Sequence, residues 1–148
     1  MQIVRSAKNA DNTPIIVHVK IDVSQTIALG DLVQIDATSR LGEAAVAAST
    51  TIVGIAQEAI TTGAAVTDAD TIPVVLVRGE VVRAAVSQAG TKKTFAEADK
   101  YTTAYDLLDK TTIAPDDTTG GMCYVQGFNN TLNTVDFIVA DANLVNIG

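Results

Sequence analysis

Tryptophan is absent, histidine and cysteine each occur once, and aromatic residues make up only 4% of the 148 positions. So few rings make a poor carbohydrate platform and a poor base-stacking surface. A single cysteine, Cys123, excludes an intrachain disulfide, so the chain suits a reducing interior or an assembly that never needed oxidation. Basic residues are scarce, 10 against 17 acidic, and the resulting net charge of −7 repels phosphate and anionic lipid. No nucleic-acid partner and no membrane surface is expected. No apolar run approaches the roughly 18–20 residues that a membrane span needs, and residues 1–12 hold no long apolar stretch of a cleaved signal.

What is present is small and β-branched. Ala (22), Thr (19) and Val (18) supply 59 of the 148 residues, within a hydrophobic content of 47%. β-Branching stiffens χ1 and favours pleated strands. Small side chains pack between close-set sheets or between subunits. This length suits one domain that buries its core without disulfide or metal. The expectation is a mainly β fold, a compact β-barrel or β-sandwich with at most one short helix. Residues 14–148 read as a single β domain, and residues 1–13 as an N-terminal arm or an edge strand.

Ile15–Val23 alternates cleanly, with Ile15, Val17, Val19, Ile21 and Val23 on one face and His18, Lys20 and Asp22 on the other. After the Gly30-Asp31 turn, Leu32–Asp36 reads as a short strand with Val33 and Ile35 inward. The Ala-rich stretch Glu43–Ala48 reads as one helical turn or a loop. Ile52–Ala56 is continuously apolar, the pattern of a strand covered on both faces. Ile72–Val86 is interrupted by Arg78-Gly79-Glu80, either a tight hairpin or a bulge in one long strand; a hairpin would leave two very short arms, which favours the bulge. Pro73 belongs at a strand start or on an edge. Thr94–Lys110 is the one stretch open to a helix, with Thr94 and Glu97 spaced as a capping box. Met122–Val125 and Val135–Ala140 read as strands joined through Gly127–Thr134.

An internal duplication is suggested at an offset of 69 residues. Asp31-Leu32-Val33 then falls on Lys100-Tyr101-Thr102, and Val53–Gln57 on Met122–Gln126. Each copy continues into a further strand, Pro73–Val77 and Val135–Val139. On that alignment Lys100–Tyr105 is extended and any helix is confined to Thr94–Asp99.

The inventory for chemistry is short. His18 sits on the polar face of an alternating strand, whereas a general base needs a pocket and an orienting partner. Cys123 lies in an apolar run with no cation near it to activate a thiolate. Asp68, Asp70, Asp116 and Asp117 lack the spacing of a calcium loop. Lys92-Lys93 is too short for a nucleic-acid patch. Asn129-Asn130-Thr131 fits a glycosylation pattern that carries no meaning without secretion. Gly120-Gly121 lacks the companions of a phosphate-cradling loop. No enzyme, cofactor or metal site is expected.

Three runs together form a pattern: Gly30-Asp31-Leu32-Val33; Thr51–Ile60 (TIVGIAQEAI) followed by Gly63; and Val75-Leu76-Val77-Arg78-Gly79-Glu80-Val81. Over about Gly30–Val86 this resembles the capsid decoration (structural cement) proteins of tailed bacteriophages. The resemblance implies a compact β-barrel or β-sandwich bound outside an icosahedral shell, commonly as a homotrimer, with the major capsid protein as partner. It implies a virion location after synthesis in the host cytoplasm, with no catalysis, and it supplies no site residues to carry over.

The segment 1–13 bears Arg5 and Lys8 on an otherwise acidic chain, with Ile3 and Val4 as apolar anchors. An arm of this kind adds a strand to a sheet edge when it binds; the other reading is the first edge strand of the domain's own sheet. Gln2, Ile3, Val4, Arg5 and Lys8 are therefore the candidate capsid contacts. A different virion part, such as a head fibre base or a tail-associated β domain, is the second reading. A ligand-binding barrel is a third, disfavoured by the scarcity of aromatics.

Overall fold

The structure, a computed structural model, describes residues 1–6 and 14–145, with Arg5 and Ser6 described through their backbone alone. In chain order the first eight strands are β1 (Gln2–Ser6), β2 (Ile16–Lys20), β3 (Thr26–Ile27), β4 (Leu32–Ile35), β5 (Gly42–Ala44), β6 (Ile52–Ala56), β7 (Ile60–Thr61) and β8 (Thr71–Leu76). The remainder are β9 (Glu80–Val86), β10 (Ala104–Asp109), β11 (Thr112–Ala114), β12 (Cys123–Asn129) and β13 (Thr134–Val139). The described residues contain no α-helix, only 3-10 turns at Glu97–Asp99 and Asp141–Asn143. The fold is mainly β, as the composition requires.

The strands build two five-stranded units of the same connectivity. The first has the order β2-β8-β6-β4-β5, and a parallel bridge between Ile21 and Gly42 brings its two ends together. The second has the order β9-β13-β12-β10-β11, and it closes into a barrel because β11 runs parallel to β9. Even the closing bonds correspond: Asp22 N donates to Gly42 O at 2.8 Å, and Ser87 N donates to Ile113 O at 2.9 Å.

Pairing registers give the equivalences residue by residue. Gly54 opposite Leu76 answers to Cys123 opposite Val139, so β6 maps onto β12 with the offset of 69 (123 − 54) suggested by the sequence. Val33 opposite Gly54 answers to Tyr105 opposite Cys123, so β4 maps onto β10 with an offset of 72 (105 − 33). The expected match of Asp31-Leu32-Val33 with Lys100-Tyr101-Thr102 is therefore wrong by three residues. Lys100–Thr102 is a turn rather than strand, with Tyr101 in the left-handed region at φ 66° and its N–H bonded to Val125 O.

Other expectations need correction. Ile15 and Val23 are exposed, because the ladder between β2 and β8 is confined to Ile16–Lys20; Val19 and Ile21 carry the inward face. Glu43–Ala48 is not a helical turn: Glu43 and Ala44 pair in β5 and the chain then turns. Arg78-Gly79 is neither bulge nor hairpin. Glu80 N bonds back to Val77 O at 3.0 Å across a turn with Gly79 at φ 71°, and this turn passes the chain from the first unit to the second. Pro73 lies inside β8, between β2 and β6, not on an edge. Its carbonyl takes the last bond of that ladder, from Gln57 N at 2.9 Å, so the donor it lacks falls where pairing with β6 ends. Gly127 belongs to β12, just past a bulge, and the β12–β13 connection shrinks to 130–133.

The first unit is filled by Val19, Ile21, Ile27, Val33, Val53, Ala56, Ile72 and Val74. The second core is larger, and it extends from Phe137, Leu107 and Ile113 to Leu32, Ile52, Ile55 and Val77 of the first unit. Strand β6 thus has a core on each side, which is why Ile52–Ala56 is buried at every position. Straps cross between the units. β1 belongs to the N-terminal stretch yet pairs antiparallel with β9. At the other end, Leu144 bridges Ile52, Val145 N donates to Ile52 O at 2.9 Å, and Asn143 Nδ2 donates to Ser49 O at 3.0 Å.

β6 and β8 approach closely at Gly54: a Cβ there would lie 1.9 Å from Val75 O. Gly54→Ala should destabilise the protein by about 3 kcal/mol through overpacking. Gly63→Ala, where a Cβ would meet nothing within 4 Å, should stay within about 0.5 kcal/mol of wild type. Urea unfolding of both variants checks the contrast.

Candidate functional site

Gln2, Ile3, Val4 and Arg5 all lie on β1, and Lys8 lies outside the described residues. Gln2 pairs with Arg83, Ile3 with Val82, Arg5 with Val81 and Ser6 with Glu80. Val4 is the extra residue of a bulge and is exposed, while Ile3 packs against the second core. Residues 2–6 thus form an edge strand of the molecule's own sheet. Bulges protect such edges by twisting them away from other strands.

The groups with most chemical potential do not converge. His18 is exposed on β2, opposite Pro73. Cys123 is fully buried; burial, and next the Asp106 carboxylate, push its thiol well above the usual range and keep it protonated. Asp70 accepts from Thr67 N and Oγ1, Asp116 from Thr91 N, Asp117 from Thr119 N and Asn129 from Thr131 and Leu132 N. Asp70, Asp117 and Asn129 fasten their own turns, and Asp116 ties its loop to the one at Thr91. Asp68 pairs with Lys20 at 3.0 Å. Among the described residues no group of three or more His, Cys, Asp or Glu is placed to hold a metal.

Two charged clusters escaped the sequence reading. Buried Asp31 takes Lys110 Nζ at 2.7 Å and Ala28 N at 2.7 Å, and Lys110 also donates to Thr26 O at 2.8 Å. This pair joins the two units, because Lys110 closes the turn between β10 and β11 and Asp31 precedes β4. The residues are 79 positions apart (110 − 31), so spacing carried no sign of it.

The second cluster fixes the long segment before β10. Asp99 Oδ1 accepts from Lys92 Nζ at 2.8 Å and from Tyr105 OH at 2.6 Å, and its Oδ2 accepts from Ala96 N at 2.7 Å. The helical turn is therefore capped by Asp99 on Ala96, two residues beyond the Thr94 box expected from sequence. Lys92 lies over the Tyr105 ring at 5.1 Å and the Phe95 ring at 5.7 Å, and the two rings meet edge to face. Burial opposes ionisation of Asp99, but the bonds from Lys92, Tyr105 and Ala96 outweigh it and hold the carboxyl below its ordinary range.

Several aliphatic side chains stand out on the described surface. Leu29, Ile15, Ile16, Leu108, Leu132 and Val46 are each more than half exposed. A half-open cleft of about 280 Å³ lies where β1 faces the first unit, lined by Met1, Ile3, Pro14, Leu29, Ile55 and Val75 among others. No family model matches the chain, and no curated protein matches it significantly.

Two predictions follow from the charged clusters. Lys110→Met leaves the Asp31 carboxylate buried and unpaired, and should cost about 3 kcal/mol. Adding Asp31→Asn should recover part of that loss, read as the coupling in a double-mutant cycle. Asp99, with its folded pKa depressed, stabilises above the ordinary aspartate value of about 3.9, and that contribution is lost as pH falls through the lower folded value. Asp99→Asn should therefore be clearly less stable than wild type at pH 7, and the gap should narrow at pH 3 in urea unfolding.

Proposed function

We propose that the protein is a capsid decoration protein of the tailed-bacteriophage type, which binds the outer surface of the shell as a homo-oligomer, a trimer being favoured, and bridges major capsid subunits. The observation that carries this reading is the division between interior and surface. Charged and polar side chains mostly fasten the protein's own loops, whereas a few aliphatic side chains (Ile15, Ile16, Leu29, Val46, Leu108 and Leu132) and strand edges face outward. Such a surface grips neighbours and does not turn over a substrate.

The residues that bear the resemblance also build the joint between the two units. Gly30, at φ 88°, makes the turn that presents Asp31 to Lys110. Gly54 permits the close approach of β6 to β8, and Gly79 turns the chain into the second unit. Gln2, Ile3, Val4, Arg5 and Lys8 are the proposed contacts on the N-terminal side. Binding to the assembled lattice and not to free subunits adds stability by mass action, about 2.7 kcal/mol per site at a hundredfold excess over Kd. Closed oligomers add multivalency.

The test is to add purified protein to heat-stressed shells that lack it. Saturable binding and a raised disruption temperature are expected. Shells that take up none of the protein, or that break at an unchanged temperature, end this reading.

A further inference from the structure

The duplication exposes a site that is filled in one unit and vacant, among the described residues, in the other. The closing bonds from Asp22 N and Ser87 N fix the offset between β2 and β9 at 65 (87 − 22). Ile16 is therefore the counterpart of Val81, Val17 of Val82 and His18 of Arg83. On β9, the edge turned away from β13 is covered twice: by β11 at Ala85 and Val86, and by β1 at Glu80–Arg83. On β2, the edge turned away from β8 meets β5 only at the Ile21–Gly42 bridge and the bond from Asp22. No described strand lies beside Ile16–His18 as β1 lies beside Val81–Arg83.

Strand phase shows which backbone groups are concerned. Ile21 N bonds to Asp70 O, and Leu76 N bonds to Ile15 O, so the odd-numbered residues of this strand face β8. Ile16, His18 and Lys20 turn their N–H and C=O groups to the other edge, because facing direction alternates along an antiparallel strand. Burial differs accordingly. Val81, beside β1, is 2% exposed, whereas its counterpart Ile16 is 51% exposed, next to Ile15 at 59%.

We propose that this edge of β2 is a docking site for an extended strand of another protein, laid antiparallel on Ile16–His18 as β1 is laid on β9. Main-chain bonds supply the affinity, and Ile15 and Ile16 receive alternate aliphatic side chains of the guest. Charge selects the class of partner. Residues 14–76 hold 2 basic and 7 acidic side chains, a net of −5, so two copies of this unit repel each other, and the guest is a neutral or basic segment. β1 itself, with Arg5 among aliphatic residues, shows the type. The inference needs only the two-unit fold and holds whether or not the partner is a capsid subunit.

The probe is a synthetic peptide of residues 1–6, MQIVRS, added to the intact protein and followed by amide hydrogen exchange and fluorescence anisotropy. Exchange at Ile16 and His18 should slow at least tenfold. His18→Pro removes an edge donor that β8 does not use, and a proline is tolerated on such an edge; it should weaken binding at least tenfold while leaving thermal unfolding within a few degrees. If that variant fails to fold, the peptide N-methylated at Gln2 and Arg5 tests the same bonds from the other side and should not bind. Protection at Val81–Arg83 instead, by displacement of β1, overturns the proposal. So does the absence of any protection, or dimerisation of the protein through this edge.

Discussion

Strand β6 has to be apolar on both faces, because each of the two units packs its core against it. That double burial governs the rest of the molecule. It leaves no polar face on Ile52–Ala56, and within the first unit β8 lies so near that position 54 cannot carry a side chain. The joint is completed by a buried ion pair, Asp31 with Lys110. Such pairs contribute little net stability compared with apolar packing of the same volume, because desolvation offsets attraction. Their effect is on geometry: of the ways in which two greasy barrels can be laid together, few bring that carboxylate to its ammonium.

The same economy shapes the surface. Asp36, Asp70, Asp117 and Asn129 hold turns by accepting backbone N–H bonds, and Asp116 links two loops through Thr91 N. Asp99, Lys92 and Tyr105 pin the long segment that precedes β10. A molecule whose acids and bases are occupied in this way is suited to being a shaped, rigid body.

Much of this was legible in the chain. Alternation marked β2, the unbroken apolar run marked β6 as covered on both faces, and the offset of 69 found the duplication through β6 and β12. The failures are instructive in physical terms. The duplicate strands drifted by different amounts, from 63 residues (139 − 76) for β8 and β13 to 72 for β4 and β10, because the connecting loops differ in length, so a single offset misplaced the counterpart of β4 by three. Arg78-Gly79 was read as an event within one strand because both flanks are apolar. They are apolar for different reasons, one belonging to each core. The Asp31–Lys110 pair was invisible, since attraction between residues so far apart in sequence is set by topology alone. The candidate contacts Gln2 to Arg5 were found as a segment, but sequence left open whether it was a loose arm, and only the register with β9 places it in the sheet.

One feature bears on how the molecule would come apart. Its ends are exchanged: the first strand is sewn to the later barrel, and Asn143–Val145 is sewn to the earlier one. The Val77–Glu80 turn is therefore not the sole tie between the halves, which also share the core against β6 and the Asp31–Lys110 pair. A protease that severs that turn would leave the body whole, held by the shared core, the ion pair and the two terminal seams pulling in opposite directions. Neither barrel can drift off until both terminal seams have been unpicked, so the piece behaves mechanically as a knotless lock.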